Sequence, residues 1–277
     1  PINNIVDASN YVMLELGQPT HTFDAATLKS DTVGVVRANR DSTKNSYQLK
    51  SFTTLDGQAR EIPADTILIL DGSAQSAKSA RPVALGGSLG GEDSGVSDDT
   101  AALFLESATF PRELIRPAIA RIGLRTDSAQ RFEKGQDPAK AKAAIERLGE
   151  IIALSCPDLT AGKIVGENPE KPQRAKVKVD LDFLRRRLGF EISAKLVADI
   201  LTRLQFEVKT TAAKTGAVFQ ITAPTYRSQY DIGIPEDIVE ELGRIYGYDH
   251  ITPQSPDAIV QPTTPNRERL ISNRIKK

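Results

Sequence analysis

Apolar positions near the start of the chain repeat at helical spacing. Because Gly17 follows them as a C-cap, this pattern predicts a helix over about residues 3–16. The Gln18-Pro19-Thr20-His21 segment then predicts a loop, a kind of segment in which functional side chains often lie. The apolar positions of the predicted helix are Ile2, Ile5, Val6, Val12, Met13 and Leu16.

Short runs of β-branched and apolar residues, separated by Asp-Gly and Gly-Gly turns, predict strands in the next stretch. Helical spacing returns at about residues 111–121 and 138–154. Because strands and helices mix without strict alternation, the pattern predicts an α+β fold with a layered mixed sheet rather than a doubly wound sheet. The predicted strands are Val33–Arg37, Phe52–Leu55, Thr66–Leu70, Val83–Leu85 and Ala102–Leu105.

A polar, proline-punctuated stretch without periodicity predicts a linker at residues 166–174. It separates a first domain, residues 1–165, from a second domain, residues 175–252. The prolines and the basic end of residues 253–277 predict an extended or mobile tail that connects to a further domain.

The second domain shows the winged-helix plan, in which two helices precede a β-hairpin. The hairpin turns at Lys214-Thr215-Gly216. The pattern therefore predicts a small α+β domain of winged-helix type. Its predicted elements are a strand at Lys176–Val179, helices at about 180–188 and 193–204, hairpin strands Glu207–Thr210 and Ala217–Thr222, and a helix at about 235–247.

Length and composition agree with two soluble domains. The chain has 277 residues, 39% of them hydrophobic, and domains average roughly 150 residues. The 36 basic and 36 acidic side chains cancel, so no overall charge attracts the chain to nucleic acid or to an anionic membrane. A single cysteine and short apolar runs predict a cytoplasmic protein without disulfides or a membrane partner. The missing initiator Met predicts a fragment or a processed chain.

The glycine-rich segment Gly86–Gly91 matches the G-x-S-x-G pattern of serine hydrolases around Ser88. That nucleophile requires a strand before it, a helix after it and a later histidine. Glu92-Asp93-Ser94-Gly95 is a poor helix start, and the downstream histidine, His250, lies in the other domain. The glycines therefore favour a close backbone approach to a ligand or to another strand.

Carboxylates gather on one side of the last predicted helix of the second domain. Ile238 and Leu242 mark the apolar side, while Asp237, Glu240, Glu241 and Arg244 lie opposite. With Asp231, these oxygens could bind Mg²⁺ or Ca²⁺. The alternative is a solvated helix face with an ion pair between Glu240 and Arg244. A second charged stretch, residues 111–147, has a basic excess that could bind a nucleic-acid backbone or simply face solvent.

Several motifs, in the right order over nearly the whole chain, resemble the central region of the bacterial phenylalanyl-tRNA synthetase beta subunit. Those of the first domain are Asn4–Asp7, Asn10–Pro19, His21–Asp24, the double Gly-Gly of residues 86–91, Leu105–Ala108 with Phe110, Gly123–Asp127 and Arg131–Gly135. Those of the second domain are Asp231-Ile232, Asp237–Glu241 and Arg244–Asp249.

The resemblance implies an editing domain followed by a small domain with a winged-helix-like core. Such a beta subunit works with an alpha subunit, in a heterotetramer of two alpha and two beta chains, to charge tRNA(Phe) with phenylalanine using ATP. The alpha subunit holds the aminoacylation site, so this fragment is expected to carry editing only. Its editing substrate would be tyrosine mischarged onto tRNA(Phe).

The resemblance also assigns residues to the editing site. Glu106 would recognise the tyrosine hydroxyl, and His21 would lie beside the amino acid and its ester. Ser9, where relatives usually have Thr, completes the expected catalytic set. Gly87 and Gly90 would form walls of the pocket. Ser128 would also line it, and because relatives usually have Ala there, Ser128 would make the pocket smaller or more polar.

The resemblance further implies a Mg²⁺ site, shared with the alpha subunit, at Asp231, Asp237, Glu240 and Glu241. Two other functions remain open beside editing. The fragment could be a scaffold and tRNA-docking module that no longer edits, or it could be a freestanding aminoacyl-tRNA deacylase, which the linker-like tail disfavours.

Overall fold

The computed structural model describes residues 1–39, 46–166, 174–213, 216–228, 230–252 and 266–276. The predicted α+β class is confirmed. In the first domain the regular elements are α1 (Asn4–Leu16), β1 (His21–Asp24), β2 (Val33–Ala38), β3 (Ser46–Tyr47), β4 (Ser51–Thr53), β5 (Ala59–Glu61), β6 (Ile67–Asp71), β7 (Arg81–Leu85), β8 (Leu89–Gly90), β9 (Leu103–Glu106), α2 (Arg112–Ile122), α3 (Asp127–Phe132) and α4 (Lys140–Ser155).

A five-stranded sheet of order β3-β2-β6-β7-β8 forms the centre of the first domain. The β2–β3 pair is parallel and the other pairs are antiparallel, so the sheet is mixed. Its central strand β6 is buried along its whole length. Apolar residues of β6 and β7 pack against Ile115 and Ile119 of α2 and Phe132 of α3.

A separate two-stranded ribbon, β1 with β9, lies between this sheet and a helical layer. Phe23 and the partly buried Phe104 on one face pack with the sheet core. Leu103 and Leu105, on the alternate face, pack against the core that α1 shares with α4. The first domain is therefore layered as sheet, ribbon and helix pair.

The ribbon corrects one sequence-based expectation. His21 was predicted in a loop, but it begins β1, where it pairs with Glu106 of β9. The segment has only four residues, too few to show period-two alternation. Long-range pairing with β9 therefore makes it a strand. The sequence pattern also missed the helix α3 and the strands β3, β5 and β8, because these elements are equally too short to show a period.

The second domain consists of β10 (Lys176–Asp180), α5 (Leu181–Leu188), α6 (Ala194–Arg203), β11 (Glu207–Ala213), β12 (Gly216–Thr222), α7 (Thr225–Ser228) and α8 (Pro235–Tyr246). Its sheet has the order β10-β12-β11 with antiparallel pairs. Alternate residues of the strands, such as Phe219 and Ile221, are buried with apolar residues of α5, α6 and α8. The predicted order, two helices and then a hairpin, is confirmed; the hairpin residues Lys214 and Thr215 lie outside the described part.

The two predicted connections fall largely outside the described residues, since 167–173 and 253–265 are not described. The tail was predicted to be extended or mobile, and its described end is not extended, because Arg267–Ile275 forms a helix, α9. Asn266 caps it by accepting a hydrogen bond from the backbone N–H of Arg269. Within the described ranges, no helix combines the length and the apolar character that crossing a membrane requires.

The two domains meet through Thr225 of α7 and through Tyr230, which lies two residues beyond the end of that helix. Thr225 Oγ1 donates to Asp137 Oδ2 at 2.6 Å. The guanidinium of Arg112 lies 3.7 Å from the centre of the Tyr230 ring, a cation–π contact. This junction forms one wall of a cavity considered below.

Candidate functional site

A cavity of about 560 Å³ lies where α1, the β1–β9 ribbon, the glycine-rich turn after β7 and the start of α3 meet. The structure brings together there all the first-domain residues that the sequence assigned to the site. These residues are Ser9, His21, Gly87, Gly90, Glu106 and Ser128.

One wall of the cavity is α1, which begins at the N-cap Asn3. Ser9 on this helix lies 2.8 Å from Thr20, measured between their hydroxyl oxygens, and donates to the Thr20 carbonyl oxygen at 3.0 Å. These bonds tie the helix to the segment that leads into β1. Sequence reasoning missed Thr20 as a site residue, although its place directly before His21 was a signal.

The His21 side chain is neutral at physiological pH because burial lowers its pKa to about 4. The ring packs edge-on against Phe23, with 4.4 Å between ring centroids. Its Nε2 is buried, and no group in the described part of the chain hydrogen-bonds to it. His21 can therefore offer a hydrogen bond to a ligand without contributing charge.

Glu106 is the direct cross-strand partner of His21 in the antiparallel ribbon. Partners of this kind point to the same face, with Cβ atoms about 5 Å apart. Desolvation raises the pKa of Glu106 to about 7. The cavity thus holds a neutral imidazole beside a carboxyl group that changes charge near neutral pH.

The glycine-rich turn approaches the site too closely for side chains. A Cβ on Gly90 would lie 2.7 Å from both Cε1 and Nε2 of the His21 ring. Gly87 has φ +71, and a Cβ there would lie 2.9 Å from Ile115 Cδ1. The close-approach interpretation of these glycines fits the structure.

Ser88 lies in the turn between β7 and β8, so a strand follows it where a serine hydrolase needs a helix. Its carbonyl oxygen accepts a hydrogen bond from Thr126 Oγ1 at 2.9 Å. Thr126 also caps α3 by accepting from the Ala129 N–H. The same residue therefore fixes the turn and the start of α3, a role that the sequence did not reveal.

Ser128 on α3 faces α1 across the cavity. Its hydroxyl lies 3.7 Å from the sulfur of Met13, which is also a lining residue. Ser128 thus places a hydroxyl group beside the apolar side chain of Met13.

The carboxylates of α8 lie in the second domain, and none of them lines this cavity. Helical spacing placed Glu241 opposite the apolar side, as a metal ligand or on a solvated face, but Glu241 is only 3% exposed. Arg227 donates to both of its oxygens, at 2.8 and 3.2 Å, and also pairs with Asp231. Arg244 pairs with Glu241 at 2.6 Å, not with Glu240 as the helical spacing predicted. The reason is that α7 carries Arg227 against this helix and draws Glu241 inward.

These ion pairs oppose a metal site in the observed arrangement. Desolvation works against ionisation of Glu241, but hydrogen bonds from Arg227 and Arg244 hold its pKa below the usual value. Asp237 accepts bonds from the backbone N–H groups of Gly233 and Ile234 and so caps α8. Among the described residues no three His, Cys, Asp or Glu side chains are grouped to hold a metal ion. The donor set as arranged does not fit Mg²⁺.

Two family models match the chain in succession. The B3/4 domain model matches residues 1–157, and the tRNA synthetase B5 domain model matches residues 177–248. A solved N-terminal fragment of the phenylalanyl-tRNA synthetase beta-subunit from Pyrococcus horikoshii covers 86% of this chain and 64% of that chain, at 12% identity and TM-score 0.38.

Curated relatives match the chain over nearly all of its length. The phenylalanine–tRNA ligase beta subunit of Leptospira biflexa is 37% identical over 99% of this chain and 32% of its own length. Those of Solibacter usitatus and Vibrio cholerae are each 38% identical, over 96% and 99% of this chain and 33% and 32% of their own lengths. The chain spans about a third of these relatives. It therefore belongs to the B3/4 domain family, with a tRNA synthetase B5 domain following, and is similar throughout to phenylalanine–tRNA ligase beta subunits.

Proposed function

We propose that the cavity of the first domain hydrolyses tyrosine that has been mischarged onto tRNA(Phe). The observation that carries this proposal is the pairing of His21 with Glu106. The two residues are register partners on β1 and β9, they line one cavity, and desolvation raises the pKa of Glu106 to about 7. A desolvated carboxyl group in an apolar cavity is a strong partner for a phenolic hydroxyl.

Recognition of that hydroxyl is what an editing site requires. A synthetic pocket shaped for phenylalanine rejects an added hydroxyl by only roughly 10²-fold. A second site that hydrogen-bonds the hydroxyl gives the opposite preference, because phenylalanine leaves the buried polar group without a partner. Glu106 supplies such a group, and the cavity of about 560 Å³ that it lines has room for an aromatic ring.

The reaction is the hydrolysis of an ester. The oxygen of water bonds to the ester carbonyl carbon, and the bond from that carbon to the ribose oxygen breaks. The ribose oxygen takes up a proton from the attacking water, and tyrosine and uncharged tRNA leave. Neutral His21 contributes a hydrogen bond at the ester, while the Ser9–Thr20 pair holds α1 against the strand that carries His21.

The larger assembly belongs to the same proposal. The relatives are named as beta subunits of phenylalanine–tRNA ligase, so we infer a partner alpha subunit, two chains of each kind, cytoplasmic location, and ATP-dependent charging of tRNA(Phe) by the complete enzyme. Magnesium shared with the alpha subunit requires a rearrangement, since a cation could reach Asp231 and Glu241 only if Arg227 released both.

The test is to titrate the chain with tyrosine and phenylalanine side by side and then to time deacylation of Tyr-tRNA(Phe). We expect tyrosine to bind more tightly, and Glu106→Ala to weaken tyrosine binding at least tenfold with little change for phenylalanine. Equal losses for both amino acids contradict the assigned role of Glu106. Selective binding with deacylation at the spontaneous rate, in the chain and in the assembled enzyme, supports the scaffold alternative instead.

A further inference from the structure

The cavity of about 560 Å³ in the first domain is called the candidate editing site below, and a second cavity of about 1110 Å³ adjoins it at Glu106 and Phe110. We call it the rear cavity. Its walls come from β9 and the segment that follows it, from α4, from residues 164–166 and from Tyr230 at the domain junction. Its lining is mixed: Ala141 and Ile145 of α4 are apolar, while Lys142 and Glu146 carry opposite charges.

The candidate editing site and the rear cavity have two lining residues in common, Glu106 and Phe110. Phe110 is 6% exposed and is held in the sheet core, where its ring lies 5.1 Å from that of Phe132. Glu106 belongs to the ribbon strand β9, and no described residue forms a hydrogen bond with its side chain. The partition therefore combines a fixed aromatic ring with a side chain that the protein does not anchor.

We propose that the rear cavity is an extension of the editing site that the Glu106 side chain closes. The extension suits aromatic α-amino acids whose para substituent is larger than a hydroxyl. This inference rests on the proposed function, since it assumes that an aromatic amino acid points its para position at Glu106. The partition then has a second effect beyond recognition of the hydroxyl: it sets the maximum length of the side chain.

Physical reasoning fixes the direction of the effect. In the wild-type chain the methyl group of O-methyltyrosine meets the Glu106 carboxyl, and the ether oxygen has no proton to donate to it. Removing the carboxyl opens the path to the rear cavity, and burial of each methylene-sized group then strengthens binding by about fourfold. Ser107 and Thr109 line the rear cavity, and their buried hydroxyl oxygens have no hydrogen-bond partner among the described residues.

The experiment measures binding of phenylalanine, O-methyltyrosine and O-benzyltyrosine to the chain by calorimetry. For Glu106→Ala and Glu106→Ser we expect both tyrosine ethers to gain at least tenfold relative to phenylalanine, compared with the wild-type chain. Two variants are used because one of them could unfold, which thermal melting detects. If no folded variant binds the tyrosine ethers more tightly relative to phenylalanine than the wild-type chain does, the proposal is wrong.

A filling variant tests whether the rear cavity receives the substituent. In the Glu106→Ala background, Ala141→Trp should remove the gain for O-benzyltyrosine and leave that for O-methyltyrosine. Ala143→Trp, on an exposed position of the same helix, is the matched control and should leave both gains. Equal effects of the two tryptophan variants contradict the proposal. Failure of the wild-type chain to prefer tyrosine over phenylalanine counts against the proposed function alone, since comparison among the variants still tests the continuity of the cavities.

Discussion

Replacing the carboxyl group of Glu106 by an amide should change how the stability of the first domain depends on pH. Desolvation raises the pKa of Glu106 from 4.5 to about 7 in the folded chain. Because the folded state favours the neutral carboxyl, the free energy of unfolding is highest below pH 4.5. This contribution is lost as the pH rises through 7, where the folded chain must bury a charged carboxylate. The side chain in Glu106→Gln has a similar size and stays neutral, so this variant avoids that loss.

The magnitude follows from the two pKa values of each group. A pKa that rises from 4.5 to about 7 corresponds to roughly 3 kcal/mol of unfolding free energy between pH 4 and pH 8. His21 acts in the opposite sense: its pKa falls from 6.5 to about 4, so its contribution is present above pH 6.5 and lost as the pH falls through 4. In the wild-type chain the two contributions nearly cancel, whereas Glu106→Gln should gain about 3 kcal/mol on going from pH 4 to pH 8.

The assay is urea unfolding followed by circular dichroism at several pH values. Glu61→Gln is the control, because Glu61 is an exposed glutamate on β5. The control curve should run parallel to that of the wild-type chain, while the Glu106→Gln curve should rise away from both above about pH 5. If all three curves stay parallel from pH 4 to pH 8, the Glu106 carboxyl is not desolvated and the reasoning about the site fails.

Three further predictions concern the same two domains. In the assembled enzyme, His21→Ala should lower deacylation of Tyr-tRNA(Phe) at least a hundredfold and Ser88→Ala less than threefold; an inactive Ser88 variant that binds tyrosine and folds would revive the serine-hydrolase interpretation. Gly90→Ala should lower the deacylation rate more than it weakens tyrosine binding, because the added Cβ displaces the His21 ring. The control Gly149→Ala, whose Cβ would meet nothing within 4 Å, should change neither the rate nor the binding. Glu241→Ala should destabilise the second domain by about 3 kcal/mol in thermal or urea unfolding, since Arg227 loses its buried partner; if unfolding is unchanged but the assembled enzyme loses Mg²⁺, the carboxylate is a metal ligand and not a structural partner.

Most long elements could be predicted from local patterns. The helix α1 and the second-domain helices showed apolar spacing together with caps, which act within one or two turns. Short elements could not be predicted in this way, because β1 and α3 are too short for a period to be visible. The helix α9 was missed because the prolines before it indicated an extended tail, although Asn266 was a cap signal.

The site shows the same division. The motif resemblance selected six residues that line one cavity, although the sequence does not show which residues surround them in the fold. It missed Thr20 and Thr126, whose importance lies in the hydrogen bonds they make to Ser9 and to the Ser88 carbonyl. Helical spacing, for its part, placed Glu241 opposite the apolar side of the helix, because such spacing contains no information about Arg227 on another element.

The sequence by itself determined the α+β class and the family, since local periodicity and ordered motifs are properties of the chain. Only the tertiary structure decided what the side chains experience. The pairing of β1 with β9 places His21 beside Glu106, and burial there shifts their pKa values in opposite directions. Desolvation depends on which distant segments cover a group, and these contacts form only when the chain has folded.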